Sequence, residues 1–374
     1  MKILIICHEH PPLGGGGGSA ASRFAMNLAG QGDEVLFVTS TYKDMPLREQ
    51  TDGYGVFRFD ISRKNKFGCD IPELIRFGLR GKRFIDELFK DYRPDAIAAF
   101  FAIPSGYVAR YASQKYKIPY IVSLRGGDVP GFLSRELWFY QFLATPLLKK
   151  IMGSAKRVFS NSRYLARLGE KTSKSEIAVV PNGFDTELYK PDFSKRPGGL
   201  VNILFAGRLV YQKGLDVALK AVSILDKTRF HLNIVGSGPL EGELKALAAR
   251  LNLAGSTTFM GWLTKSELLK LYQQSHILVI PSRDEGLPNV VTEAMSCSMA
   301  VVGTNCGGIP ELVENGVNGY VVEPDDIKAF SEKLGGLISD TDTINKFCEN
   351  SREMAGRWSW ADAANRLRGL INEH

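Results

Sequence analysis

Short apolar runs alternate with segments of helical spacing along the whole chain. Runs that are rich in Val and Ile and apolar on both faces are typical of parallel strands covered by helices. In the first half, the predicted strands are Lys2–Cys7, Glu34–Thr39, Ala96–Phe100, Pro119–Ser123, Arg157–Ser160 and Ile177–Val180. In the second half, they are Val201–Ala206, Phe230–Val235, Thr257–Phe259, Ile277–Ile280 and Ala300–Gly303.

Segments with apolar residues three and four apart lie between these strands. The predicted helices are Ser19–Ala29, Ser105–Lys115, Leu215–Ile224, Glu241–Leu251, Lys265–Gln274 and Asn289–Cys297. This alternation predicts an α/β protein with Rossmann-like, doubly wound parallel sheets. Ligands of such sheets bind outside the carboxyl ends of the strands.

The chain has 374 residues, a length at which two domains are typical. A stretch rich in Pro, Gly and charge near Asp192–Leu200 predicts the linker between them. We therefore expect one domain over residues 1–190 and a second over 200–356, facing each other across a cleft that holds the chemistry.

Composition excludes several classes of protein. No window holds about 18 uncharged apolar residues, so no membrane-spanning helix is expected. The apolar run after Lys2 is short, and His8, Glu9 and His10 follow it, so a strand is favoured over a signal peptide. We therefore expect a cytoplasmic location. The 5 cysteines form no C-x-x-C pair, so we expect reduced thiols.

The net charge of +7 is unevenly distributed. Residues 1–190 contain 28 Lys and Arg against 19 Asp and Glu, whereas the remainder contains 19 against 21. A basic first half indicates an anionic partner, namely nucleic acid, anionic lipid or a phosphorylated acceptor. A contribution to solubility alone explains the same charge.

A glycine-rich loop, Gly14–Gly18, follows the first strand. Glycines let backbone N–H groups approach a phosphate, and a helix N-terminus adds positive charge. Pro11 and Pro12 make this loop too long for a dinucleotide fingerprint. We predict a flexible loop near a bound phosphate or sugar, with Gly16 and Gly17 as donor contacts; a plain linker is the alternative.

Two further loops follow strands in the second half. In the first, Gly207 is followed by Arg208 and Lys213, and two cations at the end of a strand suit a diphosphate. The second contains Glu285 and leads into a helix that carries Glu293, and these carboxylates suit sugar and ribose hydroxyls. Solvated cations, and a Glu293 that only complements the helix dipole, are the alternatives.

The motifs together are specific. They are GRLVYQKG at 207–214, PSRDEGLPNVVTEAM at 281–295, GGIPE at 307–311, NG at 318–319 and PNGFD at 181–185. In this order and at these separations the chain resembles retaining glycosyltransferase family 4, whose members have the GT-B fold. The resemblance spans nearly the whole chain. It implies a hexosyltransferase-like enzyme that uses a nucleotide-sugar donor, with UDP favoured and GDP as the alternative.

The resemblance also implies roles for individual residues. Glu285 would contact the donor sugar and Glu293 the ribose, while Arg208 and Lys213 would bind the diphosphate and stabilise it as it leaves. The catalytic residues are then Arg208, Lys213 and Glu285. The other donor contacts implied are Gly207, Trp262, Leu263, Gly286, Leu287, Pro288, Asn289 and Val290.

No metal or other cofactor is expected, because cations and a helix N-terminus stabilise the departing diphosphate. The triplet Asp340–Asp342 indicates a helix cap, not a metal site. Retention would follow from attack on the face that the leaving phosphate vacates, with that phosphate helping to take the acceptor's proton.

The sequence departs from the family at one loop. Many members have His-Gly-x-Asp in the first domain, whereas here Arg125 stands at the position of the His, three residues before Asp128. Arg is no base at neutral pH. We expect Arg125 to bind an anion or a sugar oxygen, and Asp128 to serve the acceptor or the loop itself. His8 and His10 are alternative polar groups near the glycine loop.

Two segments of the first half suggest an acceptor at a membrane surface. Ile71–Phe89 carries Arg76, Arg80 and Arg83 on one helical face, and Phe132–Lys150 combines aromatic residues with two terminal lysines. We expect a lipid-linked or glycan acceptor in surface polysaccharide or glycolipid synthesis, peripheral docking on the inner face of the membrane, and no nucleic acid. A core-facing helix with a solvated basic side is the alternative.

The C-terminal segment, at about 357–374, resembles the GT-B helix that crosses back to the first domain. Other functions remain open: a sugar-nucleotide epimerase or hydrolase, a phosphorylase, or a non-catalytic nucleotide-sugar binding protein. A phosphorylase would need a cofactor lysine and a much longer chain. The sequence makes no prediction of donor sugar, acceptor identity or oligomeric state.

Overall fold

The structure is a computed structural model that describes residues 1–66, 68–132, 134–173, 176–196 and 198–373, with the backbone alone for 134–137. The chain divides into two compact units. Unit 1 comprises Met1–Gly183 with Trp360–His374, and unit 2 comprises Phe184–Ser359. Pro197 of the predicted linker, Leu133 of the aromatic segment and His374 of the C-terminal segment lie outside the described residues.

Unit 1 contains an eight-stranded sheet. Its strands are β1 (Lys2–Ile6), β2 (Glu34–Ser40), β3 (Arg48–Thr51), β4 (Tyr54–Phe59), β5 (Ala96–Phe100), β6 (Tyr120–Leu124), β7 (Arg157–Ser160) and β8 (Ala178–Val179). Their order is β3-β4-β2-β1-β5-β6-β7-β8. All neighbours are parallel except β3 and β4. The order reverses between β1 and β5, so the ligand position of this sheet lies at their carboxyl ends.

Five helices of unit 1 connect these strands: α1 (Gly16–Gly30), α2 (Ile71–Leu88), α3 (Tyr107–Tyr116), α4 (Ser134–Ser154) and α5 (Arg163–Ser173). Buried side chains of α2 to α5 form a core on one face of the sheet, and those of α1 form a core on the other. The apolar runs of β1 and β5 are buried between the two layers. This two-layer burial is the reason why these strands are apolar on both sides.

Unit 2 contains a six-stranded sheet in which all neighbours are parallel. The strands are β9 (Val201–Ala206), β10 (Phe230–Val235), β11 (Thr257–Gly261), β12 (Ile277–Ile280), β13 (Ala300–Thr304) and β14 (Gly319–Val322), in the order β11-β10-β9-β12-β13-β14. Its helices are α6 (Leu215–Ser223), α7 (Glu241–Arg250), α8 (Lys265–Gln274), α9 (Asn289–Ser296), α10 (Ile327–Ser339) and α11 (Thr341–Gly356). The prediction of doubly wound parallel sheets is confirmed.

The last helix, α12 (Trp360–Asn372), belongs to unit 1. Trp360 meets Phe24 of α1 edge to face at 5.4 Å, and Arg368 donates to the Asp33 carboxylate at 2.6 and 3.0 Å. The apolar face of α12 completes the core that α1 covers. The chain therefore returns to unit 1 after unit 2, as the resemblance implied.

The first segment of unit 1 ends at Gly183 and unit 2 begins at Phe184, upstream of the predicted linker. Phe184 and Tyr189 are buried in the core of unit 2, and Phe184 stacks on Trp358 at 5.9 Å. Apolar burial of this entering segment joins it to unit 2.

The predicted glycine loop ends earlier than the sequence suggested, because α1 begins at Gly16 and not at Ser19. The Glu9 carboxylate accepts a hydrogen bond from Gly15 N at 3.0 Å, which places negative charge at the start of the helix. A Cβ on Gly17 would lie 2.3 Å from the Phe101 ring. Gly17 is therefore required for packing and is not part of a flexible loop.

Candidate functional site

Strands β9 and β12 are neighbours in the centre of the unit 2 sheet, although two strands separate them in sequence. The order of the sheet reverses here, so the loops after these strands flank the expected ligand position. These loops are residues 207–214 and 281–288, the two that carry the family motifs. The fold therefore brings the motifs to one edge of one sheet.

Hydrogen bonds to backbone carbonyls join the two loops. Arg283 N donates to Gln212 O at 2.8 Å, and the buried Gln212 amide donates to Asp284 O at 2.8 Å. The Arg283 guanidinium donates to Tyr211 O at 2.8 Å and forks onto the Asp216 carboxylate at 2.9 and 3.0 Å. The loops are thus held as one framework before any ligand arrives.

Two glycines let backbones approach closely in this framework. A Cβ on Gly214, which has a φ of +63°, would lie 1.9 Å from Pro281 O. A Cβ on Gly307, with a φ of +56°, would lie 1.8 Å from Glu285 O. Neither position accommodates a side chain, so the K-G and G-G-I-P-E motifs have a structural role in setting where Lys213 and Glu285 lie.

The ammonium of Lys213 pairs with the carboxylate of Glu285, so the structure brings together two predicted site residues. Ser282 Oγ donates to the same oxygen, Glu285 Oε1, at 2.9 Å. Glu285 is buried and the Lys213 side chain is 20% exposed. The pair keeps the buried carboxylate compensated, and it leaves Oε2 outside these two bonds.

Arg208 lies on the same loop and its side chain is exposed. The guanidinium makes no hydrogen bond or ion pair with the residues that the structure describes. Asn289 begins α9, and within the described chain no side chain caps this helix. An exposed cation and an uncapped helix N-terminus at one sheet edge form a position that suits an anion.

Glu293 lies one turn inside α9. Its Oε2 accepts a hydrogen bond at 2.8 Å from the hydroxyl of Tyr272, which is fully buried in α8. Burial, together with the nearby Glu293 charge, raises the pKa of Tyr272, so the hydroxyl remains a donor. The carboxylate is therefore oriented by a neighbouring helix, which a residue that only balances the helix dipole would not need.

Trp262 and Leu263 follow β11 at the edge of the sheet. Trp262 is 61% exposed, and Gly261 O accepts the Gly236 amide at 2.8 Å. Strand β11 lies two strands from β9, which is about 10 Å at the usual strand spacing. The loop therefore follows a strand that lies two places from the strand preceding Lys213.

In unit 1, Asp128 holds its own loop. Oδ2 accepts from Ala102 N at 2.6 Å, and Oδ1 accepts from the amides of Arg125 and Gly126 at 3.0 and 3.1 Å. Burial raises the pKa of Asp128, while the N–H donors act in the opposite direction. These contacts favour the loop role over the acceptor role.

Arg125 is less exposed than expected for a ligand-binding cation. Its guanidinium lies 4.8 Å from the Phe100 ring centre, and Nη1 donates to Asn182 Oδ1 at 2.8 Å. Nε and Nη2 are buried without a hydrogen-bond partner in the described chain. Burial lowers the pKa of Arg125 to about 10, so the side chain remains charged at neutral pH with two donors unused.

His10 is a structural residue. Its Nδ1 bonds Pro11 O at 2.8 Å and its Nε2 bonds the Tyr54 hydroxyl at 2.9 Å. Burial lowers the pKa of His10 to about 4. His8 packs edge to face against Phe101 at 4.8 Å, and burial lowers its pKa as well.

The triplet near the C-terminus is a cap, as predicted. The Asp340 carboxylate accepts from Thr343 N at 3.0 Å at the start of α11. Across the described ranges, no three His, Cys, Asp or Glu residues form a group that could hold a metal ion.

Sequence reasoning missed four residues that support the site, namely Gln212, Tyr272, Ser282 and Arg283. Gln212, Ser282 and Arg283 lie inside the quoted motifs, so their positions were available as a signal. Tyr272 had no such signal, because it lies on a different helix and reaches Glu293 only through the packing of α8 against α9.

Two family models match the chain in succession. Residues 14–188 match the model described as Glycosyltransferase Family 4, and residues 190–354 match Glycosyl transferases group 1. An uncharacterised glycosyltransferase of Methanocaldococcus jannaschii is 26% identical over 100% of this chain and 98% of its own length.

Two solved structures show the same fold. Sucrose-phosphate synthase from Thermosynechococcus elongatus has a TM-score of 0.86 at 21% identity, covering 99% of this chain and 98% of that one. Anabaena HepE in complex with UDP and glucose has a TM-score of 0.79 at 19% identity, covering 100% of both chains.

The two parallel-sheet units, the jointly held motif loops and these matches define a glycosyltransferase with the GT-B fold. More narrowly, the chain belongs to glycosyltransferase family 4, with a group 1 domain in its second half.

Proposed function

We propose that this protein transfers a hexose from a nucleoside-diphosphate sugar, with UDP favoured and GDP as the alternative, to a lipid-linked or glycan acceptor, and that the anomeric configuration is retained. The observation that supports this most directly is the framework at β9 and β12, where Lys213 and Glu285 meet beside an exposed Arg208. A paired cation and carboxylate suit the two ends of a sugar diphosphate.

Arg208 and Lys213 bind the diphosphate. Breaking the bond between the anomeric carbon and the phosphate oxygen increases negative charge on the leaving group, and preorganised donors stabilise that charge. The first turn of α9 adds N–H groups from Asn289 and Val290, beside Gly286, Leu287 and Pro288. These cations and N–H groups supply the stabilisation that a metal ion provides in other transferases, so we propose a metal-independent reaction.

Glu285 and Glu293 hold the two polar parts of the donor. Glu285 Oε2 lies outside the bonds made by Lys213 and Ser282, which suits a hydrogen bond from a sugar hydroxyl. Glu293, oriented by Tyr272, accepts from the ribose hydroxyls. The nucleobase lies against Trp262 and Leu263, and Gly207 keeps the backbone beside the diphosphate open.

Neither glutamate acts as an acid or a base in this proposal. Both carboxylates serve as hydrogen-bond acceptors, and the acceptor hydroxyl attacks on the face that the diphosphate leaves. The departing phosphate oxygen then takes the hydroxyl proton, so protons and charge balance without a side-chain base.

The acceptor contacts lie in unit 1. The two unused donors of Arg125 suit an acceptor or donor oxygen that enters its surroundings. Gly16 and Gly17, which the sequence predicts as donor contacts, offer backbone N–H groups in the first turn of α1. Because the Glu9 carboxylate already lies at the start of this helix, a sugar hydroxyl suits the position better than a second anion.

The test is a calorimetric screen of UDP-, GDP- and ADP-sugars against the parent and Lys213→Ala, with a chelator present throughout. We expect one nucleotide family to bind the parent and to bind the variant at least tenfold more weakly. Lys245→Ala is the matched control, because Lys245 pairs with Glu241 on α7 away from the motif loops.

Three outcomes would contradict the proposal. Equal binding of every nucleotide by parent and Lys213→Ala would remove the phosphate assignment. Loss of turnover in the chelator, restored by a divalent cation, would remove metal independence. An inverted product anomer, read by proton NMR on the first turnover, would remove retention.

A further inference from the structure

Helix α4 of unit 1 presents a large apolar face to solvent. Trp138, Phe139, Phe142 and Leu143 are between 52% and 71% exposed. Their spacing of one and four residues places them on one side of the helix. We call these four residues the aromatic face. Exposed apolar clusters of this kind mark an interaction surface in a folded domain.

The opposite side of α4 is anchored, so the aromatic face has a fixed orientation. Leu148 and Ile151 are buried in the core. The buried Gln141 amide donates to Val129 O at 3.0 Å and to Phe132 O at 2.7 Å, while Gln141 Oε1 accepts from Gly131 N at 3.1 Å. These three bonds hold the first half of α4 against the loop that directly follows Arg125 and Asp128.

Positive charge is concentrated in the same part of the chain. Residues 101–183 contain 13 Lys and Arg against 4 Asp and Glu, whereas residues 1–100 contain 14 against 13. Lys149 and Lys150 continue the exposed side of α4, and α5, which packs beside α4, exposes Arg167 and Lys171. An apolar face bordered by basic residues complements an anionic lipid surface.

Helix α2 differs in this respect, although the sequence suggested a basic face there. Arg76 donates to Ile61 O at 2.6 Å and Arg80 binds Asp60 at 2.7 Å, so both arginines are tied to a neighbouring loop. Of the three arginines of α2, only Arg83 is exposed with no hydrogen-bond or ion-pair partner in the described chain, whereas four exposed basic residues border the aromatic face of α4. The docking surface is assigned to α4 on this contrast.

Both the aromatic face and the Arg125 loop lie toward the carboxyl edge of the unit 1 sheet. Helices that return antiparallel to the strands begin at that edge, and the aromatic face occupies the first half of α4. A membrane in contact with the aromatic face would therefore lie beside the loop that holds Arg125.

We propose that the aromatic face of α4 inserts into the interfacial layer of an anionic bilayer, with Lys149, Lys150 and the basic residues of α5 contacting lipid headgroups. Trp is favoured at this depth because its amphipathic ring spans the polar and apolar layers, and Phe and Leu add apolar area to the inserted face. Membrane docking does not depend on the proposed function. Its consequence, that a lipid-linked acceptor is presented at the membrane surface, does rest on that function.

The experiment is vesicle flotation of the full chain with equal parts phosphatidylglycerol and phosphatidylcholine, and with phosphatidylcholine alone. We expect the parent to float with the anionic vesicles only. Removing one buried ring weakens partitioning by about tenfold, so Trp138→Ser with Phe142→Ser should weaken it about a hundredfold. Phe193→Ser, which removes an equally exposed ring from unit 2, should float like the parent.

Indole fluorescence supplies a second measurement that needs no disruptive substitution. Anionic vesicles should shift the emission of the parent to shorter wavelength, and Trp138→Phe should lack that part of the shift. Calorimetric nucleotide binding without vesicles, measured on the same variants, reports an intact unit 2 and separates failure of this inference from failure of the proposed function.

The inference is overturned if the parent does not float with anionic vesicles, if the double variant floats as well as the parent, or if Trp138→Phe retains the full shift. A parent that sediments as a dimer, becomes monomeric in the double variant and binds no vesicles would assign the aromatic face to a second copy of the chain instead.

Discussion

The charged side chains at the carboxyl edges of the two sheets differ in exposure and in how fully their hydrogen-bonding groups are satisfied. In unit 2, Arg208 is exposed and Lys213 is bound to a single carboxylate, so both cations can turn toward a ligand. In unit 1, the Asp128 carboxylate is filled by three backbone N–H groups, and the Arg125 guanidinium is buried among Phe rings. The same sheet architecture therefore leaves cations accessible at one carboxyl edge and places charged residues inside the loop structure at the other.

The difference explains why a motif is informative in one unit and ambiguous in the other. A charged residue indicates binding only when its partners leave some of its hydrogen-bonding capacity unused. Glu285 meets this condition through Oε2 and Asp128 does not. Arg125 is intermediate, because one nitrogen is satisfied and two are not.

The largest expected effect comes from removing an exposed cation. Arg208→Ala should lower kcat by about 10²–10³-fold, because a donor aimed at developing charge typically contributes about 2.7–4 kcal/mol. The free energy of unfolding should change little, since the side chain has no partner in the described chain. Steady-state kinetics and urea unfolding measure the two quantities.

Arg250→Ala on α7 is the control, because Arg250 is also exposed but lies outside the motif loops. A variant at Arg208 that unfolds more easily and keeps its turnover would reverse the contrast between the two sheet edges.

The next effect is on stability in unit 1. Asp128→Ala would leave two buried N–H groups and one partly buried N–H group without an acceptor, and we expect a loss of about 3 kcal/mol in the free energy of unfolding. UDP affinity should not change. The exposed Asp60→Ala should cost less than about 1 kcal/mol. If Asp128→Ala retains stability but loses acceptor turnover, Asp128 belongs to the acceptor site.

Acid should weaken unit 2 through His276. Burial lowers the pKa of His276 to about 4, and its Nδ1 accepts from Asn202 N at 3.0 Å. Between about pH 6.5 and 4, His276 is protonated in the unfolded chain and neutral in the folded chain. The free energy of unfolding is therefore highest above about pH 6.5 and falls as the pH drops toward 4. Because His276 is only partly buried, solvent screening reduces the full shift, and the expected loss at pH 5 is about 1 kcal/mol.

His276→Gln should flatten this part of the pH profile, measured by urea unfolding from pH 7 to 5. His231→Gln is the matched substitution, because His231 lies at a less buried position of the same sheet and bonds Thr258. Equal flattening by both variants would show that His276 is not the responsible group.

The smallest effect concerns the orientation of Glu293. Tyr272→Phe removes one hydrogen bond, worth about 1 kcal/mol, and should weaken UDP binding by about fivefold. The loss should be smaller for 2′-deoxy-UDP if the carboxylate holds the ribose. Tyr320→Phe, in the same unit, is the control. Equal losses for both nucleotides would place Glu293 away from the ribose.

The regular strands were predictable because their apolar runs are buried on both faces. Val201–Ala206 and Ile277–Ile280 lie where the pattern placed them. Strand β14, four residues at the edge of the unit 2 sheet, was missed, and so was the β3–β4 hairpin, in which β3 is the polar edge sequence Arg48–Thr51. The signal for this hairpin was the Asp52-Gly53 pair, whose positive φ values of 45° and 84° suit a two-residue turn.

The residues of the candidate donor site could be predicted from the sequence, but the contacts between them could not. Lys213 and Glu285 were each identified from motif spacing, but their ion pair depends on β9 and β12 becoming neighbours. The burial of Arg125 was not predictable either. Nothing local to Leu124–Asp128 indicates that rings from α1, β5 and β7 surround the guanidinium.

The close approaches at Gly214 and Gly307 set a limit on how this enzyme can be diversified. Any side chain there would displace the backbone of Pro281 or Glu285, so a combinatorial library aimed at new donors would lose most of its members at these two positions. Useful variation should instead be introduced at Met260 and Trp262, which are exposed at the edge of the same sheet. Under the proposed placement of the donor, the close-packed loops and the nucleobase contacts could then be varied separately.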